Sequence, residues 1–392
     1  NLFLPKNYNT NDLQKVIKAW LSGKRSWLLI LDNLETIDTI LPYLPDKING
    51  QILITTRNTR LDYGTPFLLD VFDLDEALIF MKRRWSNTNE CKMEYYKYKD
   101  FSEKSTVLIK RLGYLPLALE QAAAYIKEVR CSISDYLELL KQSSVDAFSD
   151  KYASPEYYTS IVTSTWNISF AALEDSSQQL LNLCAYMGAD NIPVIFFAEM
   201  RNLLPDPLKN ALSKQLTLNR VVTGLRTYSL ASGTAEYINI HRLVQEVIRK
   251  HHEIEEENNS GVNRWLQLDF NMLELYLPTS CEEADGVSQF MPIAIHAQSI
   301  AEHYSILVKT KSLKLKMANL YDKIGDCYDD CGIFDNAFSN YFSSLQIKEL
   351  YLGKMHSETA IQYDNIGLLY TRTGNYSEAI KWHKKAIHIL ES

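Results

Sequence analysis

"YDKIGDCYDDCGIFDNAF" (Tyr321–Phe338) returns as "YDNIGLLYTRTGNYSEAI" (Tyr363–Ile380), displaced by 42 residues. Tyr321, Ile324, Gly325, Tyr328, Gly332 and Ala337 fall on Tyr363, Ile366, Gly367, Tyr370, Gly374 and Ala379. Two matching positions could be chance. Six in register mark a repeated unit, and a unit of this length must stack on its neighbours to bury its apolar face. The stretch therefore predicts a helical array over residues 313–392.

Upstream the patterns are mostly helical, with two exceptions. Near the N-terminus, "NDLQKVIKAWLSG" places Leu13, Val16, Ile17, Trp20 and Leu21 at helical spacing, with Asn11 as cap and Gly23 as stop. Two short apolar runs follow, "WLLILD" and "QILITT". Neither alternates, so each reads as a parallel strand buried on both faces. "PFLLDVF" is a weaker third strand candidate. The second exception is "YSLASGTAEYINI", two short strands flanking a Gly-centred turn. Three or four helices precede that hairpin and "RLVQEVIRKHH" follows it, a pattern that predicts a winged helix. The polar stretch Ser143–Ser154 reads as an inter-domain linker.

The expected chain is thus mainly α and multidomain: a partial α/β sheet of P-loop type over 1–72, a helical domain over 73–150, a winged helix over 155–256, linking helices over 257–312, then the repeats. With 392 residues, 46% hydrophobic and 23% charged, there is ample core and no sign of disorder. A formal charge of −7 gives no electrostatic reason to bind nucleic acid or an anionic membrane, and the hairpin "ASGTAEY" carries no Lys or Arg. Lys381, Lys384 and Lys385 read as a solvated helix face. No apolar run is long enough for a transmembrane span. Six scattered cysteines suit a reducing compartment, and a cytoplasmic setting is expected. Cys327 and Cys331 are spaced to share a helix face, but no neighbouring His or Cys completes a metal set. A start at Asn1 rather than Met reads as a fragment of something longer.

The repeat resembles the tetratricopeptide repeat, a helix pair in which small residues let one helix press on the next. Its 42-residue spacing exceeds the ~34 usual for that family. It is similar to the longer variant of kinesin light chains, including a "LGKMHSETA" link in which Ser357 replaces the usual proline. The resemblance implies a groove that takes a protein or peptide ligand.

"WLLILDNLE" (Trp27–Glu35) has the form of a Walker B element, a strand that delivers a carboxylate to nucleotide-bound magnesium. Alone it is a weak signal, since apolar strands often end in Asp. Further on come "GQILITTRN", "GYLPLAL" and "INIHRLVQEV", in the order and spacing of the NB-ARC class of signal-transduction ATPases, the STAND type. The chain resembles that class over roughly Asn11–His252. The resemblance implies Asp32 as magnesium ligand through water, with Asn33 and Glu35 as secondary candidates. It further implies Arg57 facing the γ-phosphate, Pro116 against adenine and His241 on the β-phosphate of ADP.

Three departures limit what is carried over. Asn33 stands where many members have a second aspartate, and an amide cannot accept the attacking water's proton. Arg242 replaces the aspartate of the MHD motif. No Walker A motif is present; "GKRS" at Gly23 lacks the first glycine and precedes the Walker B strand. Slow hydrolysis at most is therefore expected of the full-length protein, with ADP, ATP and Mg2+ held weakly or not at all by this chain and no catalytic residue assigned. The implied function is an ADP/ATP switch coupled to a repeat array, with self-association on activation. The alternatives are a tetratricopeptide scaffold with a degenerate ATPase domain, or an active NTP hydrolase. On ordinary grounds Asp32 ends a strand and caps the next turn, Pro116 marks a kink or a first helical turn, and His241 is a surface or cap histidine.

Overall fold

The computed structural model describes residues 10–32, 34, 36–56, 58, 63–67, 69–86, 95–143, 155–256, 263–278 and 280–391. The chain opens with α1 (Thr10–Ser22) and β1 (Leu28–Leu31); two single 3-10 turns, Ile37–Thr39 and Leu41–Tyr43, then lead to β2 (Gln51–Ile54). The strands pair in parallel, Leu28 opposite Gln51 and Leu31 opposite Ile54. The pairing agrees with the sequence, but the burial does not. Leu28, Ile30 and Leu53 are 60%, 59% and 54% exposed, while the alternate residues Leu29, Leu31, Ile52 and Ile54 are half-buried, so only one face of the two-stranded sheet is covered. Nor does "PFLLDVF" add a strand: its described residues are irregular, and Phe67 and Leu69 lie in solvent.

Four helices follow: α2 (Leu74–Ser86), α3 (Tyr95–Arg111), α4 (Pro116–Val129) and α5 (Ile133–Ser143). Met81, Leu108, Leu112, Leu119, Ile126 and Tyr136 form their common core, which reaches Ile161 and Ile168 of the next helix, α6 (Pro155–Ala171). Of the polar stretch read as a linker, Ser143–Ser154, Ser143 ends α5 and residues 144–154 lie outside the described residues.

After α6 come α7 (Asp175–Cys184), β3 (Ile192–Pro193), α8 (Val194–Glu199), α9 (Leu208–Ala211), α10 (Gln215–Thr227), β4 (Ser232–Gly233), β5 (Tyr237–Asn239) and α11 (Arg242–Glu256). The three strands form one antiparallel sheet in the order β3-β5-β4. Two details differ from the expected hairpin. Its turn is Thr234–Glu236, closed by Thr234 N–H on the Tyr237 carbonyl at 2.9 Å, while Gly233 ends the strand. The third strand, two residues long, has no periodicity to reveal it.

The last part runs α12 (Arg264–Tyr276), α13 (Ala284–Leu307), α14 (Lys311–Asp330), α15 (Phe334–Tyr351), α16 (Ser357–Arg372) and α17 (Tyr376–Leu390). The repeat becomes the pairs α14–α15 and α16–α17, capped at Thr310, His356 and Asn375 by side chains that accept the next free amides. The small residues have a steric reason. A Cβ on Gly325 would lie 2.6 Å from the Tyr341 ring, and one on Gly367 would lie 2.7 Å from His383. Phe338 meets Tyr370 and Phe342 meets Trp382, which joins one pair to the next, while Trp382 also packs on Tyr363 within the second pair. A single apolar core runs from α6 through α17, so the unit ending at α11, the linking helices and the repeats share one interior. No helix among the described residues is long and apolar enough to cross a membrane.

Candidate functional site

The residues picked from the sequence fall in two places. At the carboxyl end of the parallel pair, Asp32 follows β1 and accepts a hydrogen bond from Thr55 Oγ1 just past β2. Leu34 N–H donates to the Thr55 carbonyl at 2.8 Å, which pins the turn after Asp32 to β2. Open parallel sheets bind ligands at this end. Asn33, Glu35 and Arg57 lie outside the described residues.

The second place is a cavity of about 680 Å³ between α4, the end of α10, the β4–β5 hairpin and the start of α11. Gly113 and Tyr114, both left-handed at φ 60 and 58, turn the chain sharply out of α3. Pro116 then occupies the first turn of α4, where its missing N–H costs nothing. Pro116 itself faces solvent, and Leu117, Glu120, Ala123 and Ala124 of the same helix line the cavity. His241 lines it from the other side.

His241 immediately precedes α11, and its Nδ1 accepts the Leu243 N–H at 3.2 Å. That bond assigns the proton of the neutral ring to Nε2. Although part of the ring meets solvent, desolvation at the cavity wall and the neighbouring Arg242 hold its pKa below the ordinary value. The imidazole is therefore a neutral donor at pH 7.

Glu120 was not singled out from the sequence, yet it is the hub of this cavity. Both its oxygens pair with the Arg84 guanidinium of α2, and Ser229 Oγ donates to Oε1 at 2.8 Å. One carboxylate thereby ties α2, α4 and the segment after α10. Tyr125 of α4 meets the Tyr228 ring at 6.0 Å and reinforces the contact. A charge inside the apolar run "LPLALE" was the available signal, but its partners lie 36 and 109 residues away in sequence. Because Arg84 is half exposed, the clamp is screened and we assign it about 1 kcal/mol. Glu120→Ala is expected to speed amide hydrogen exchange over residues 226–239 and leave α14–α17 unchanged; equal exchange in both proteins would remove the clamp from the account.

The cavity suits a nucleotide in size and chemistry. Leu117, Ala123, Leu230 and Ala231 offer apolar wall, while Lys127, Arg226, His241 and Ser232 offer donors. Arg226 lines the cavity and donates to the Thr234 carbonyl, while its Nε is buried without a partner. Asp32 is not among the lining residues, so the two places are not joined into one site by the described residues.

A tetratricopeptide repeat family model matches residues 316–392, and a domain of unknown function (DUF7779) matches 168–257. A nucleotide-binding leucine-rich repeat (NLR)-like protein of Hyaloscypha variabilis is 25% identical over 400 residues, covering 90% of this chain and 36% of that protein. The chain thus spans about a third of the length of this curated relative. Among solved structures, a Signal Transduction ATPase with Numerous Domains (STAND) protein with a tetratricopeptide repeat sensor, from Pyrococcus horikoshii, is 15% identical with a TM-score of 0.37. That likeness covers 98% of this chain and 65% of the other. The family match places tetratricopeptide repeats at the end of the chain, and the likeness to the NLR-like protein runs along nearly all of it.

Proposed function

We propose that a chain of this architecture is the switch-and-sensor part of an ADP/ATP-regulated signalling protein. The observation that carries the reading is the shared cavity. The α4 helix that begins at Pro116 and the histidine that precedes α11 lie far apart in sequence, and they line the same nucleotide-sized space. In this reading residues 155–256 work as a winged helix, with His241 Nε2–H donating to the β-phosphate of ADP. Arg226, Lys127 and Ser232 supply further donors, and the apolar part of α4 accepts the base.

Asp32 would hold Mg2+ through water, and Arg57 would report the γ-phosphate. The nucleotide supplies a removable charge that favours the closed arrangement of α4 against α10 and the hairpin. Exchange for ATP would release that arrangement, the general logic of a ligand-biased two-state element. With Asn33 beside Asp32 the site holds nucleotide more than it hydrolyses it. The repeats would take a protein or peptide ligand and pass its binding to α11 through the continuous core.

The chain holds no G-x-x-x-x-G-K-[ST] motif, so it contributes only part of the phosphate cradle. ADP titrated into it calorimetrically is expected to bind at roughly 100 µM or weaker, about −5.5 kcal/mol. A low-micromolar constant would overturn the partial-site reading. In a protein that joins this chain to an intact phosphate loop, His241→Ala is expected to speed ADP release about tenfold, a loss of ~1.4 kcal/mol. Unchanged release would remove His241 from the site.

A further inference from the structure

The cysteines that sequence spacing left without a third partner acquire one in the fold. Cys327 and Cys331 lie one helical turn apart at the end of α14, and the loop between α12 and α13 brings Cys281 against both. That loop is stitched down. Cys281 N–H and Ser280 Oγ donate to Asp330 Oδ2 at 2.8 and 3.1 Å, and Cys327 Sγ lies 3.9 Å from the Pro278 carbonyl. The Cys281 thiol donates to the Gly286 carbonyl at 3.5 Å and interacts with the Cys327 and Cys331 thiols beside it. Cys281 and Cys327 are fully buried, whereas Cys331, the C-cap of α14, is only half buried.

Geometry decides which pairs can close. Residues four apart on a helix hold their Cβ atoms ~5–6 Å from each other, beyond the ~3.5–4.5 Å a disulfide needs. Cys327 and Cys331 therefore cannot join without breaking the helix, and each can pair only with Cys281. Access favours Cys331, since a small oxidant reaches it from solvent.

We propose that Cys281 and Cys331 are a redox pair that closes on exposure to a low-molecular-weight disulfide such as glutathione disulfide, locking the linking helices to the first repeat. The Cys331 thiolate attacks one sulfur of the disulfide, forming a mixed disulfide and releasing one glutathione thiolate. The Cys281 thiolate then attacks the Cys331 sulfur, forms the internal bond and releases the second glutathione. The protons of the two protein thiols end on the two glutathiones; the protein pair is oxidised by two electrons and the glutathione disulfide is reduced by two. Burial, Cys281 and Asp330 push the Cys331 thiol up to about 11, so the exchange is slow at neutral pH and answers sustained oxidation.

The closed bond ties α13 and α14 into one loop and fixes where the sensor sits relative to the linking helices. No residue of the nucleotide cavity takes part, so this inference stands apart from the proposed function.

The test is a peptide map of the native chain, incubated with glutathione disulfide and alkylated without reduction. A Cys281–Cys331 cross-linked peptide two hydrogens lighter than its thiols, cleaved by a phosphine reductant, is expected, with Cys327 alkylated only after unfolding. Oxidised protein should also melt several degrees higher than reduced protein. Cys281→Ala should trap Cys331 as its glutathione adduct, and Cys327→Ala should leave the cross-link intact. A glutathione adduct on Cys331 in the native chain, a Cys281–Cys327 cross-link, or thiols that all remain alkylatable would overturn the proposal. Should Cys281→Ala fail to fold, the map of the unmodified sequence decides alone.

Discussion

Replacing Asp269 with leucine is expected to stabilise the protein at pH 7 by about 1–4 kcal/mol. Asp269 lies on α12 with no solvent exposure, and neither carboxyl oxygen has a hydrogen-bond partner. The buried Cys184 of α7 lies beside it, and neither group can solvate a charge. Burial alone pushes the carboxyl pKa well above its ordinary value. The sign follows from proton counting. Between the unfolded value near ~4 and the raised folded value, the folded state holds a proton that the unfolded state has released, so stability falls as pH rises. Below about pH 4 both states are protonated and the penalty disappears. Urea unfolding of Asp269→Leu should therefore gain most at neutral pH and little at pH 4. A lower midpoint than the parent at pH 7 would mean that the carboxyl has a favourable partner, contrary to its surroundings in the fold.

Lys348→Met is expected to act in the opposite direction, costing about 3–5 kcal/mol. Lys348 of α15 is 6% exposed; its Nζ donates to Asp322 Oδ2 of α14 at 2.5 Å and to Gln362 Oε1 of α16 at 3.3 Å. It is the polar pin through three helices of the array. Removing it leaves Asp322, 18% exposed, as a buried carboxylate without its counterion. Burial already outweighs the pull of Lys348 and holds the Asp322 carboxyl above its ordinary range. Desolvation thus exceeds attraction, and the pair specifies the packing more than it adds stability. The double substitution Lys348→Met with Asp322→Leu should then recover most or all of the loss in urea unfolding. A double variant as unstable as the single one would show that Lys348 acts through its stem and Gln362, not through the ion pair.

Neither residue had a sequence signature. Asp269 stands in "RWLQLDFNMLELY" as an ordinary polar position of an amphipathic helix, and nothing local says that α7 and α13 close over it. Lys348 reads as a solvated lysine in the last turn of α15 until α16 folds against it. The same reason explains Glu120, whose partners come from α2 and from the end of α10. It also explains Cys281, which meets Cys327 and Cys331 only after the α12–α13 loop is laid against α14.

The sequence by itself determined what depends on local periodicity and local sterics. It placed the repeat and the glycines that let paired helices touch, the parallel pairing of β1 with β2 and the histidine that precedes α11. Each is written in residues within a few turns of one another, where spacing alone fixes which side chains share a face. Tertiary structure decided burial and partnership. It left one face of the two-stranded sheet bare, set α4 and His241 around one cavity, and placed a carboxyl without a partner in the core. Those outcomes depend on which distant helix covers a given position, and desolvation, ion pairing and thiol contact all follow from that cover rather than from the residue's own neighbours in the chain.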